Sequence, residues 1–156
     1  TEVIVQALEQ CKADFLGELD GLSPEQIDYK PTEERWSMRE VALHVSHSMR
    51  KVGQMIIMLG EGQFRDEQPQ LKPDILDDDP GEWQSVLDGV TQGFDVAIDA
   101  ARAVDAVAAP ADTLDHPWFG PFNCRQWAAF NLVHSRVHVA QLSKNKDADG
   151  YPNQEF

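Results

Sequence analysis

Four long segments of the chain repeat their apolar residues every three or four positions, which is the periodicity of an α-helix. They cover about residues 2–20, 37–60, 79–104 and 123–144. No run of alternating polar and β-branched residues, the pattern of a half-buried strand, competes with them. The sequence therefore predicts an all-α fold, a four-helix up-and-down bundle, in one domain whose tail at about residues 146–156 is irregular.

Residue pairs that cap helix N-termini mark where these segments begin. In such a pair a Ser, Asn or Asp caps the helix, and a Glu or Gln three residues later bonds back to it. The pairs in this chain are Ser23 with Gln26, Ser37 with Glu40, Asp79 with Glu82, and Asn123 with Gln126. They predict a brief helical turn at 23–26 besides the long helices. The first long helix is expected to bury a stripe with Val3, Ala7, either Cys11 or Asp14, and Leu19.

Two connections between the helices are long, residues 61–79 and 105–122. Loops of this length in a compact domain usually cover or form a functional site. The first ends in the acidic run DILDDDP, residues 74–80, which is expected to precede and cap the third helix. Calcium binding is the alternative, but the run lacks the spaced ligands and the glycine of a calcium loop.

The composition excludes several classes of partner. Thirteen Lys and Arg face 27 Asp and Glu, and the formal net charge of −14 repels phosphate backbones and anionic membrane surfaces. We therefore expect no nucleic-acid partner and no membrane partner. The longest apolar run, residues 55–59, is too short to span a bilayer, and Cys11 and Cys124 imply no disulfide framework. Because no signal-like segment is visible, the expected location is the cytoplasm.

Two histidines lie four positions apart in the last predicted helix, His134 and His138, so their side chains share one face. Trp127 and Phe130 precede them on the same stripe and Val137 continues it, which predicts that both imidazoles point into the bundle. Buried imidazoles need a partner for each nitrogen. They are therefore either core residues satisfied by hydrogen bonds or ligands of a divalent metal ion. Residues 135–137 between them lack the Glu of the His-Glu-x-x-His metalloprotease motif.

A metal site needs at least a third ligand, and His44 in the second long helix is the candidate. His44 lies about 10 Å past the Ser37 cap, and His134 lies about 16 Å past Asn123, at about 1.5 Å per residue. If the second and fourth long helices run in the same direction, these depths are nearly level. His44, His134 and His138 are therefore predicted to converge as metal ligands and to leave positions open for water or substrate.

Other reactive and aromatic residues are expected near this cluster without belonging to it. His47 lies about 60° round the helix from His44 and is expected to flank the site by hydrogen bonding. His116 is interpreted as structural, with an overhang above the site as the alternative. Cys124 is a candidate nucleophile at a helix N-terminus, but no basic partner supports it. An aromatic group around the starts of the second and fourth long helices either seals that end of the core or walls an apolar pocket; its members are Trp36, Trp118, Phe119, Phe122 and Trp127.

Three stretches of the sequence together resemble the DinB/YfiT-like superfamily of four-helix-bundle metalloenzymes. They are WSMREVALHVSHSMR at residues 36–50, HPWFGPFNCRQW at residues 116–127 and VHSRVHVAQL at residues 133–142. The resemblance is to members with a His-Pro-aromatic-Phe-Gly segment before the last helix. It implies a ligand set of one histidine soon after Trp-Ser and a His-x-x-x-His often followed by Gln, which fall on His44, His134 and His138.

The resemblance also implies a chemistry. The metal of such proteins is typically nickel or zinc, dimers are common, and relatives include S-transferases that use low-molecular-weight thiols, a thiol-dependent isomerase and metal-dependent hydrolases. We therefore expect a metal-dependent transferase or hydrolase that activates a thiol or water against a small-molecule substrate, and the resemblance implies a homodimer. The alternatives are a bundle that stores or senses a metal or small ligand, and a purely structural bundle. The sequence identifies no general base and no cationic cradle for a thiol cofactor.

Overall fold

A bundle of four long helices forms the architecture of the computed structural model, which describes residues 1–107 and 110–153. The elements are α1 (Glu2–Leu19), the short α2 (Pro24–Asp28), α3 (Met38–Gly60), α4 (Trp83–Ala103), a 3-10 turn (Val104–Ala106), strands β1 (Leu114–His116) and β2 (Gly120–Phe122), and α5 (Cys124–Lys146). The predicted four-helix bundle is confirmed. Of the predicted irregular tail, residues 147–153 follow the last helix and residues 154–156 lie outside the described residues. No helix in the described ranges has the length and hydropathy to cross a membrane.

Side-chain caps fix the N-termini of three helices as predicted. Complete capping boxes are present at Ser23 with Gln26, Ser37 with Glu40, and Asn123 with Gln126. The fourth predicted cap is wrong, because α4 has Glu82 at its N-cap and makes no side-chain cap bond. The Asp79 carboxylate instead accepts the backbone N–H of Gly81 at 2.8 Å and pairs with Arg39 at 3.4 Å. This part of the acidic run therefore holds a loop, not a helix end.

One face of each long helix forms the core. The face of α1 is made of Val5, Leu8, Cys11, Phe15 and Leu19. The predicted stripe is wrong at its start, since Val3 is 79% exposed. The inward face begins at Val5, two positions later, and of the predicted residues Cys11 and Leu19 lie on it.

A short β-hairpin interrupts the second predicted connection. Strands β1 and β2 pair antiparallel, and each contains only three residues, too few for an alternating pattern to be visible in the sequence. The indole N–H of Trp127 donates to the backbone oxygen of Leu114 at 3.1 Å and so ties the hairpin to α5. Gly120 supplies the left-handed backbone, with φ of 82°, at the start of β2.

Helices α3 and α4 run parallel, although they are consecutive, so the predicted up-and-down order of the bundle is wrong. Near the start of α3, Ser46 approaches Gly93 of α4, and further along Gly53 approaches Val96. The chain therefore has to return along the whole bundle between these helices, and residues 61–82 make that return. The helices follow one another round the bundle in the order α1, α4, α3, α5.

Helices α3 and α5 run antiparallel. The side-chain amide of Asn145, near the end of α5, donates to the backbone oxygen of Trp36, just before α3. Further along α3, His44 lies against His138, which is earlier in α5. The inference that the second and fourth long helices run in the same direction is therefore wrong. Their N-terminal ends lie at opposite ends of the bundle.

The returning connection is anchored to α3 through Asp77. Its backbone N–H donates to the oxygen of Leu43 at 3.2 Å, and its carboxylate accepts from the Ser46 hydroxyl at 2.7 Å and from both terminal nitrogens of Arg50 at 2.6 and 3.0 Å. A two-pronged guanidinium contact fixes both distance and orientation. Residues 70–75 are thereby held across the face of α3 that carries His44.

We expect Gly93→Ala to lower the free energy of unfolding by about 1–3 kcal/mol, because the added Cβ would lie 2.9 Å from the backbone oxygen of Ser46 and push α3 and α4 apart. Gly17→Ala is the matched control. Nothing lies within 4 Å of its added Cβ, so this exposed position in α1 should gain up to about 1 kcal/mol of helix propensity. Urea unfolding followed by circular dichroism measures both variants. A stabilised Gly93→Ala protein would contradict the close approach.

Candidate metal centre

Three imidazoles meet between α3 and α5. His44 lies six residues after the first residue of α3, and His138 lies eight residues before the last residue of α5, so the antiparallel register places them at the same level. His134, one turn earlier in α5, completes the group. The structure therefore brings together the three predicted residues, but through the opposite helix direction from the one assumed.

The Nε2 atoms of the three imidazoles face one another. His134 Nε2 lies 3.3 Å from His44 Nε2 and 3.0 Å from His138 Nε2, and one ligand atom from each residue lies within 4.8 Å of the others. Three nitrogens bound at about 2.0–2.1 Å to a tetrahedral ion would lie about 3.3 Å apart. The separations are thus close to those that a shared cation requires.

Hydrogen bonds at the far nitrogens fix two of the rings. His44 Nδ1 lies 2.9 Å from the backbone oxygen of Ile75, and His138 Nδ1 lies 2.7 Å from Oε1 of Gln141. Both oxygens can only accept, so each Nδ1 carries the proton and each Nε2 keeps its lone pair. Such outer partners orient metal-binding imidazoles. Gln141 is visible in the sequence three residues after His138, whereas a backbone oxygen such as that of Ile75 leaves no side-chain signal.

The third imidazole, His134, is incompletely satisfied. Its Nδ1 is buried and has no hydrogen-bond partner among the described residues, while its Nε2 faces two lone pairs. At most one proton can be placed on His134 Nε2, so the described residues leave a concentration of lone pairs at the centre of the group. A divalent cation fits that donor set because it accepts all three lone pairs at once.

Burial holds these imidazoles in the neutral form. It lowers the pKa of His134 to about 3, with a further lowering by the neighbouring His138 and His44. It lowers the pKa of His138 to about 4 against a partial opposing effect of the Gln141 bond, and it also lowers the pKa of His44. Since only the neutral imidazole binds a metal ion, the group is ready for metal at neutral pH.

A cavity of about 390 Å³ opens beside the three histidines. Its walls come from α3, from residues 70–75 of the returning connection, from the hairpin region and from α5. Most of the lining is apolar, and the largest of these side chains are Met55, Leu71, Trp118, Trp127 and Phe130. The size is in the range of small-molecule sites.

The aromatic residues divide between two sides of the histidine group. Trp36 packs on His44 with ring centroids 4.8 Å apart and stacks on His138 at 6.4 Å. Trp118 and Trp127 line the cavity on the other side, and Trp118 is 70% exposed. The expectation of one aromatic group at the starts of two helices is wrong because those starts lie at opposite ends of the bundle. Both interpretations, a seal of the core and a wall of an apolar pocket, hold in part, because Trp127 is buried in the core and also lines the cavity.

The other sequence candidates lie outside the three-histidine group. His47 lines the cavity and lies 3.3 Å from the Asp77 carboxylate, a flanking hydrogen-bonding place as expected. His116 also lines the cavity, and its Nδ1 accepts the backbone N–H groups of Trp118 and residue 119 at 3.1 and 3.3 Å, which holds the hairpin turn. Cys124 is buried at the start of α5 and does not line the cavity.

The sequence of the chain matches a protein family and a bacterial protein over most of its length. Residues 7–142 match the sequence model of the DinB superfamily. The chain is also 25% identical to the uncharacterized protein YuaE of Bacillus subtilis (strain 168), in an alignment that covers 88% of this chain and 94% of YuaE. The match to the superfamily includes all of α3 and the three histidines.

Two solved structures share the fold. TT2238, described as a four-helix bundle protein, superposes with a TM-score of 0.68 at 18% identity, covering 92% of this chain and 98% of TT2238. YfiT from Bacillus subtilis, described as a probable metal-dependent hydrolase with an unusual four-helix bundle topology, superposes with a TM-score of 0.70 at 13% identity, covering 97% of this chain and 88% of YfiT. At these identities the similarity establishes the fold.

We expect the metal-free protein to lose stability between pH 7 and pH 5. The unfolded histidines take up protons near pH 6.5, whereas His134 and His138 in the folded protein resist protonation down to pH values of about 3 and 4, so unfolding binds protons and is favoured as pH falls. Each of the two contributes about 2 kcal/mol of this loss by pH 5. Urea unfolding of chelator-treated protein at both pH values measures it.

His134→Gln is the control for this pH dependence. It removes the most strongly shifted group, so its loss of stability between pH 7 and pH 5 should be clearly smaller than that of the original protein. The net charge of −14 works in the opposite direction, since its self-repulsion weakens on acidification. Equal pH dependence in the two proteins would show that these imidazoles are not held neutral by the fold.

Proposed function

The chain belongs to the DinB superfamily, and we propose that it is a metal-dependent enzyme whose three-histidine site activates a thiol or a water against a small-molecule substrate. The observation that carries this proposal is the convergence of three neutral imidazole nitrogens at the wall of a cavity large enough for a small molecule. The two classes of reaction are transfer to a thiol sulfur and hydrolysis. The description of YfiT as a probable metal-dependent hydrolase supports the second class.

Nickel or zinc, the metals that the family resemblance implies, are compatible with the donor set. His44, His134 and His138 would hold the ion, and imidazole nitrogen suits both metals. A divalent ion with three protein ligands and an open position lowers the pKa of a bound water or thiol, so that a nucleophile forms near neutral pH. Because all three ligands are neutral, the protein does not offset the charge of the ion.

The surrounding residues orient the ligands and exclude water. The Ile75 oxygen and the Gln141 amide hold the rings of His44 and His138 with Nε2 directed at the centre. Trp36 covers these two rings from outside the cavity. The apolar walls let a substrate displace water from the nucleophile, which strengthens electrostatic interactions in the site.

The proposal predicts one tightly bound zinc or nickel ion per chain after reconstitution and removal of excess metal. Elemental analysis measures the ratio, and a ligand-dependent rise in the thermal midpoint reports binding to the folded state, equivalent to about 4 kcal/mol at a thousandfold excess over Kd. His134→Ala should lose the ion. His116→Asn is the histidine control, because its amide oxygen can still accept the turn N–H groups, and it should bind one ion.

A second measurement separates an enzyme from a storage site. Cobalt(II) reports its coordination through its visible spectrum, so azide or a simple thiol should change the spectrum of the cobalt-loaded protein if a position is open. A folded protein that binds no ion would overturn the proposal. A cobalt spectrum that responds to neither azide nor thiol would indicate a closed site and a storage or sensing role.

A further inference from the structure

The cavity wall carries two lysines that the sequence did not connect with the histidines. Lys51 lies seven residues after His44 on α3, about 10 Å along the helix axis and nearly on the same face. Lys72 lies on the returning connection, three residues before Ile75, whose oxygen binds His44. The two lysines therefore come from two different walls of the cavity, α3 and the returning connection.

Neither lysine is neutralised by a near carboxylate. Within the described ranges, no Asp or Glu oxygen lies within ion-pair distance of Lys51 or Lys72. The Asp77 carboxylate is occupied by Arg50 and Ser46, so it does not supply free negative charge to the cavity. Asp74 is the one carboxylate among the lining residues.

The positive charge of the cavity lining contrasts with the negative charge of the whole chain. The chain has a net charge of −14, yet the lining residues carry two lysines against one aspartate, and the three histidines are neutral ligands that leave the charge of a bound divalent ion uncompensated. A cavity with walls of low dielectric constant concentrates such a local positive field. An anion is therefore attracted to this cavity and repelled by most of the remaining surface.

We propose that the cavity takes small molecules with an apolar body and a carboxylate end, with the carboxylate at Lys51 and Lys72 and the reacting end at the histidines. This inference rests on the proposed metal-dependent function, because that function is what places the reacting group of the ligand at the histidines. Val52, Met55 and Leu71 provide the apolar surface between the two ends. Phosphate-bearing ligands share the negative charge, but the lining contains no guanidinium group and is mostly apolar, which favours a carboxylate.

A matched pair of thiols on the cobalt-loaded protein tests this assignment. 6-Mercaptohexanoate and 6-mercaptohexanol have the same chain length and the same metal-binding sulfur, and they differ in the charge at the far end. Each dissociation constant is read from the thiolate absorption of the cobalt site. We expect the carboxylate to bind about tenfold more tightly, as two partly exposed ion pairs would give, and its advantage to shrink in high salt.

Substitutions show whether the lysines cause that preference. Lys51→Gln with Lys72→Gln should reduce the preference to less than about twofold while leaving the affinity for 6-mercaptohexanol unchanged. Lys144→Gln removes one charge from an exposed position in the last turn of α5, outside the cavity lining, and should keep the preference. Each variant with only one of the two lysines replaced should lose part of the preference for the carboxylate thiol.

The outcomes separate the two proposals. If both thiols change the cobalt spectrum with equal affinity, or if the double variant keeps the tenfold preference, the carboxylate assignment is overturned and the metal site stands. If the folded protein binds no cobalt, the proposed function fails and this inference fails with it. If mercaptoacetate, in which one carbon separates the sulfur from the carboxylate, shows the same dependence on Lys51 and Lys72, the carboxylate position is wrong.

Discussion

The parallel packing of α3 against α4 is the constraint from which the site follows. Two consecutive helices that run in the same direction need a connection as long as the bundle, and residues 61–82 provide it. This connection crosses the face of α3 that carries His44, where the Asp77 anchor holds it in place. A single segment thus supplies one cavity wall, the Ile75 oxygen that orients His44, and Lys72. With an ordinary short hairpin between α3 and α4, none of these would face the histidines.

Burial and metal affinity are coupled in this arrangement. The fold accepts three imidazoles at close distance with one nitrogen unpartnered among the described residues, and this costs stability. The same burial keeps the rings neutral and therefore available as ligands. A bound ion would recover the cost by accepting the Nε2 lone pairs. The local instability of the metal-free group would then be the counterpart of the affinity of the proposed site for metal, in line with the general coupling of metal binding to folding.

Sequence reasoning succeeded where the chemistry is local. Capping boxes at Ser37 and Asn123 depend on residues three apart, and both were predicted correctly. Helix periodicity contains no information on direction, so the level positions of His44 and His138 were reached from a wrong premise. Val137 was predicted to lie on the inward stripe of α5, but its side chain is 57% exposed. The buried face of α5 is turned away from Val137, so His134 lies at the edge of this face and not at its centre. The roles of residues 61–82 could not be predicted, since an irregular segment has no period from which its neighbours can be read.

The proton balance at the proposed site would suit thiol chemistry better than the hydrolysis of poorly activated substrates. Burial alone would raise the pKa of Asp77, but hydrogen bonds from Arg50 and Ser46 lower it, so this carboxylate is a weak base and is already occupied. With Asp77 unavailable as a strong base, the ionisation of a nucleophile at the proposed site would rely more on the cation. A thiol, whose ordinary pKa is about 8.5, needs a much smaller shift than water at about 15.7 to ionise at neutral pH. A cation held by the three histidines would therefore form thiolate more readily than hydroxide, and the apolar walls suit a sulfur nucleophile, which is less strongly hydrated.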